Sequence, residues 1–168
     1  MSRPYQGWGA VGMLLRTMAR KRKRQVTTHE SMIALHRYWM WANSMRGHFE
    51  RMVVEIPVRT YHDAQRVMLI EPYMSYWYAG LNVVIEGWRQ LKLTDAQIDG
   101  LLKSRNVALL ERYRNATFHY QPRYEDKKFE DLIVRGERVA TWVKTLNTAF
   151  GRYFLTYLQA HRAASASR

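Results

Sequence analysis

From Tyr73 to Trp88 the chain reads Tyr-Met-Ser-Tyr-Trp-Tyr-Ala-Gly-Leu-Asn-Val-Val-Ile-Glu-Gly-Trp, apolar on nearly every side. A helix of this pattern has no face to give to water, so it must be surrounded, and a bundle of other helices is the simplest surround. Gly80 and Gly87 sharpen the expectation, because each costs a helix about 1 kcal/mol relative to Ala and suggests close approach of a neighbouring helix. The uncharged run from Pro72 to Ile85 is 14 residues long, short of the roughly 18 that membrane crossing needs. Glu86 is the anomaly: a carboxylate amid Val84, Ile85 and Trp88 either reaches solvent at the helix end or takes a cationic partner.

Helical spacing recurs on both sides of this stretch. Thr27 and Glu30 form a capping box that opens a helix. Ile33, His36, Trp39 or Met40, Asn43, Met45, Phe49 and Met52 then mark its core stripe as far as Pro57. Tyr61 to Glu71 is expected to form a short helix that stops at Pro72. Thr94 and Gln97 offer a second capping box, and the segment it opens runs through Ile98, Leu101 and Leu102. Gly100 and Ser104 leave open whether that segment is one helix or two. Val107, Leu110 and Tyr113 or Arg114 continue the period until Pro122 ends it. The longest pattern starts at Phe129 and recurs through Val139, Trp142 or Val143, Leu146, Phe150, Tyr153 or Phe154, and Tyr157 or Leu158. No solenoid period and no useful run of strand-like alternation is present, so the fold class is all-α, a bundle of about four long helices plus short ones over residues 27–162. Residues 163–168 are expected to be a disordered tail.

The chain has 168 residues and no cysteine, which suits a single domain with its own core and removes disulfides, thiolate nucleophiles and Cys-type metal sites. No His-x-x-x-His and no carboxylate pair at metal spacing appears, so no metal or cofactor is expected. Lys and Arg number 27 against 14 Asp and Glu, a net charge of +13. That balance attracts polyanions, nucleic acid foremost and anionic membrane surfaces or acidic proteins as the alternatives. Residues 1–26 form a basic arm with Arg20, Lys21, Arg22, Lys23 and Arg24 in succession. Its acid-free composition is shared with organelle transit peptides, but the charges are clustered rather than spread along an amphipathic helix. An RNA-binding arm and a solvated terminus are the two readings of it. Arg112, Arg123, Lys127 and Lys128 add cations around Tyr120 and Tyr124, and all of these are candidates for contact with RNA.

The chemistry-bearing stretch is Arg114-Asn115-Ala116-Thr117-Phe118-His119, at the end of a predicted helix. On a regular helix Asn115 and His119 share a face, whereas Arg114 and His119 point roughly 140° apart. They converge only if the last turn unwinds before Pro122 or if a second copy supplies one of them. Cleavage of an RNA phosphodiester needs no metal where an imidazole moves protons among the 2′-hydroxyl, the phosphate and the leaving oxygen while a cation stabilises the phosphorane. Histidine and arginine are the residue types for those two tasks. The structural alternative pairs Arg114 with a nearby acid such as Glu111 and lets His119 end the helix favourably against its dipole.

This Arg-Asn-x-x-x-His arrangement, near the end of the penultimate helix of a small bundle, resembles the signature of the HEPN superfamily (higher eukaryotes and prokaryotes nucleotide-binding). In helix order and length the likeness extends from about Thr27 to Arg162. The resemblance implies a metal-independent endoribonuclease, a cytoplasmic bacterial toxin or phage-defence effector, acting as a homodimer with two signatures facing across the interface. Arg114 would stabilise phosphate, His119 would act as general acid or base, and Asn115 would orient them or bind substrate. Glu86 is the candidate for the acidic residue that some members place near the site. An antitoxin or nucleotidyltransferase-like partner is also implied. Some toxin members carry a modifiable Tyr two residues after the His; Gln121 stands there in this chain, which sets that regulation in doubt. The rival implication is a catalytically silent HEPN-like module that binds RNA or docks a partner.

Overall fold

The computed structural model describes residues 27–56, 64–124 and 126–167. They are all-helical, in the order α1 (Thr28–Glu55), α2 (Ala64–Gln90), α3 (Ala96–Leu101), α4 (Asn106–Phe118), α5 (Lys127–Arg135) and α6 (Val139–Ala166). One hydrophobic cluster draws buried residues from all six, with Trp77, Trp88, Tyr113, Phe150 and Phe154 among its largest members. The basic arm, including Arg20 to Arg24, and the segment around Tyr61 lie outside the described residues.

The capping box of α1 forms as its sequence predicts: Thr27 Oγ1 accepts from the Glu30 N–H at 3.1 Å, and Glu30 Oε2 accepts from the Thr27 N–H at 2.8 Å. The core stripe of α1 is rotated from the expected one. Its fully buried positions are Met32, Leu35 and Ala42, whereas Ile33 and Met40 are exposed. The cause lies on α2, where a Cβ at Gly80 would sit 3.1 Å from Ala42 Cβ and one at Gly87 would meet Leu35 Cδ1. The two glycines thus admit a close antiparallel neighbour, as the sequence suggests, and that neighbour turns its smallest and best-fitting residues toward them. His48 stacks on Tyr73 along the same pair of helices. His36 rests against Trp39 and Phe154, where burial lowers its pKa.

Pro72 does not end a helix, contrary to expectation: α2 runs through it from Ala64. Proline's fixed φ is itself helical, so only one ladder hydrogen bond and some local fit are lost, and the buried face from Trp77 to Trp88 holds the rest in register. The second cap is also shifted. Asp95, not Thr94, caps α3, accepting from the Gln97 and Ile98 N–H groups, and Asp99 returns a bond to the Asp95 N–H at 3.0 Å. The α3 and α4 segments are separate helices.

The pattern beginning at Phe129 is likewise divided, into α5 and α6, at a corner where Arg138 takes a left-handed φ of 44°. Buried Asn106 makes this corner possible. Its amide donates to the Glu137 carbonyl at 2.8 Å and accepts from the Glu137 N–H at 2.9 Å, standing in for the helical bonds that the break removes. Asn147 plays a similar part at the centre of the bundle, accepting from Trp39 Nε1 through its carbonyl and from Trp77 Nε1 through Oδ1, and donating to Asn43. At the C-terminal end, residues 163–166 continue α6 with exposed side chains, so the expected disordered tail is helical as far as Ala166.

Candidate functional site

The last two turns of α4 carry the Arg-Asn-x-x-x-His stretch. Tyr113 anchors them: its side chain is buried, its hydroxyl lies 2.8 Å from Ser75 Oγ on α2, and its ring stands edge-on to Phe129. Arg114 comes next and turns outward across α2. Its Nη2 donates to Glu86 Oε2 at 3.1 Å and its Nη1 to Asn115 Oδ1 at 2.9 Å. Asn82, one turn before Glu86 and buried, donates to Glu86 Oε1 at 3.2 Å. Four of the polar groups on α2 and α4 thus converge, and the cationic partner that Glu86 called for is Arg114. Arg114 Nε is buried with no acceptor among the described residues. The Glu86 side chain is 46% exposed, so the pair is open to solvent and to competition by a stronger oxyanion.

The His119 side chain makes no hydrogen bond to this cluster among the described residues. The helix ends at Phe118, and His119 adopts an extended conformation (φ −123°, ψ 134°) with its N–H still bonded to the Asn115 carbonyl. Unwinding therefore does begin before Pro122, but only at His119, so Arg114 keeps its helical direction. The His119 carbonyl accepts from Gln121 Nε2 at 2.7 Å, and Lys128 Nζ donates to Gln121 Oε1 at 3.0 Å. Exposed His119 lines a surface cavity of about 510 Å³ with Glu71, Thr117, Tyr120, Arg123 and Tyr124. Arg114, Asn115 and Glu86 are absent from its lining. Within one chain the structure joins Arg114, Asn115 and Glu86 by side-chain hydrogen bonds, none of which involves the His119 ring.

The cations proposed for RNA contact divide three ways. Arg112 turns away from the cavity to Asp131 on α5 at 2.7 Å, a carboxylate it shares with Arg135, so it ties α4 to α5. Arg123 and Lys127 are exposed, and Lys128 is held by Gln121. Sequence reasoning missed Asn82 and Glu71. Asn82 was visible in principle, since it sits four residues before Glu86 on one face of α2; Glu71 reaches the cavity by tertiary packing and had no local signal. Among the described residues no group of three or more His, Asp or Glu is placed to hold a metal ion, and no helix is long and apolar enough to cross a membrane. In comparisons with known proteins, no family model, curated protein or solved structure matches the chain.

Proposed function

We propose that this chain is a metal-independent endoribonuclease of HEPN type, acting as a homodimer, in the class of bacterial toxins and phage-defence effectors. The observation that carries the proposal is Arg114: a half-buried guanidinium at a helix end, aimed by Glu86 and Asn115, with its buried Nε–H unclaimed. A phosphate arriving there would exchange with Glu86 on the partly exposed guanidinium, the planar fork being suited to a phosphoryl group. His119 would take the 2′-hydroxyl proton as that oxygen attacks phosphorus, and a protonated His119 would return one to the departing 5′-oxygen. The products are a 2′,3′-cyclic phosphate and a 5′-hydroxyl. In this reading the complete site would take its arginine and its histidine from different protomers, a division favoured by the absence, among the described residues, of a side-chain hydrogen bond between His119 and the cluster of Arg114 and Glu86.

The competing reading, a silent RNA-binding module, is favoured by one observation: the Arg114 guanidinium already has a carboxylate. RNA cleavage in EDTA by the wild type, His119→Ala and Arg114→Ala separates the two. The ribonuclease reading expects wild-type cleavage that falls at least about a hundredfold in each variant, the usual scale for losing a general acid–base group or a charge-stabilising donor. Cleavage persisting in both variants overturns the mechanism, and tight binding without cleavage by the wild type establishes the silent module.

A further inference from the structure

The middle of α1 exposes an aromatic pair that the core does not use. Tyr38 is 40% and Trp41 56% exposed, their rings 5.4 Å apart and nearly perpendicular. The Arg37 guanidinium lies over both, 5.7 Å from the Tyr38 centroid and 5.3 Å from that of Trp41. Arg46, Arg105, Arg112, Arg114, Arg135 and Arg152 all face carboxylates. Arg37 has no carboxylate partner among the described residues and rests on ring faces instead, its outer edge free for an anion. Tyr38 also lines a groove of about 350 Å³ between α1 and α2, and Glu86 lies on the opposite wall. The groove therefore lies between Tyr38 and the carboxylate that holds Arg114. On α2 itself Tyr76, Val83, Glu86 and Gln90 follow one another at helical spacing along the same side. Tyr76 packs on exposed Phe118, which lines the His119 cavity.

We infer that Arg37, Tyr38 and Trp41 form a base-stacking platform for single-stranded RNA. This rests on the reading of the chain as a protein that acts on RNA, and it adds a site that the signature residues do not include. The physical requirements of such a platform are aromatic faces open to successive bases and cations interleaved to meet the phosphates. Tyr38 and Trp41 are both exposed, and Arg37 sets a cation beside them within about one turn of helix. A second copy of the chain is the competing occupant of an exposed aromatic face; the net charge of +13 and the Arg37 cation over the two rings favour a polyanion there.

Base stacking separates the platform from general attraction to polyanions. Fluorescence anisotropy would measure binding of a labelled single-stranded oligouridylate and of an abasic oligonucleotide of equal length at one salt concentration. Wild type is expected to favour the base-bearing strand. Trp41→Ala and Tyr38→Ala should each weaken that strand roughly tenfold, the scale of losing one stacked base, and leave the abasic strand unaffected. Arg37→Gln should weaken both strands. Equal binding of the two strands by wild type, no binding of either, or an unchanged preference in Trp41→Ala overturns the platform. A Trp41→Ala variant that binds RNA normally but sediments as a smaller species assigns the face to a second copy and also overturns it. Cleavage in EDTA is read separately: a protein that cleaves RNA but fails these binding tests loses the platform and keeps the ribonuclease, and the converse result does the reverse.

Discussion

Burial fixes the chemistry of Tyr78 and Tyr113, whose rings lie 5.9 Å apart under α4. Desolvation, followed by their mutual repulsion, pushes the Tyr78 phenol up to about 12. For Tyr113 burial again dominates, the Ser75 hydrogen bond opposes it and Glu71 reinforces it, with the same value of about 12. In the unfolded chain both phenols ionise near 10, so between pH 10 and 12 the unfolded state binds fewer protons than the native one and stability falls as pH rises. Below pH 10 the contribution is fully retained. A shift of this size corresponds to roughly 3 kcal/mol for a single group. Helix content followed by circular dichroism should therefore collapse together with the last part of the tyrosinate absorbance, and Tyr78→Phe should move the transition to higher pH. Titration of all tyrosines near pH 10 with helix content intact would refute this account. The same burial logic made part of the candidate site legible in sequence: Glu86 beside Val84, Ile85 and Trp88 required a cation or solvent, and it has both. That the cation is Arg114 was not legible, because the two are 28 residues apart in the chain.

Glycines inside helices show how neighbouring elements decide the sign of a substitution. Gly47 in α1 has nothing within 4 Å of where a Cβ would stand, whereas at Gly151 in α6 a Cβ would lie 2.7 Å from Trp39 Cζ2. The Trp39 ring is held by its bond to the Asn147 carbonyl and has little room to yield. Gly47→Ala should therefore stabilise the protein by about 0.5–1 kcal/mol through helix propensity. Gly151→Ala should destabilise it by about 1–3 kcal/mol through overpacking. Urea denaturation of both variants tests the contrast, and equal shifts would show that Trp39 yields. At this scale the sequence predicted the helices from their periodicity and misplaced several ends. Pro72 resembles a stop because proline usually is one, but tertiary burial of α2 overrides it. The break between α5 and α6 has no strong local mark beyond Gly136, since it depends on Asn106, 31 residues earlier. The register of α1 was equally hidden, being set by where Gly80 and Gly87 accept a neighbour.

At the scale of the whole molecule, one core links all six helices, and α4 carries Arg114 within that frame while His119 lies just past its end. Arg114 belongs with Glu86, and His119 opens into the cavity around Tyr120 and Tyr124. If catalysis needs both, two-fold association is the economical way to join them, because an isologous interface places residue i of one copy beside residue j of the other twice over. This has a consequence that separates a composite site from one built within a chain. In a dimer of one Arg114→Ala and one His119→Ala protomer, one shared site lacks both groups while the other keeps an intact arginine from the second protomer and an intact histidine from the first. Random exchange makes half the dimers mixed, so an equimolar mixture of the two inactive variants should recover about a quarter of wild-type RNA cleavage in EDTA. Exchange must be allowed by mild denaturation and refolding of the mixture, and each variant refolded alone should stay inactive. A site using Arg114 and His119 of the same chain would recover nothing, because every chain in the mixture lacks one of the two.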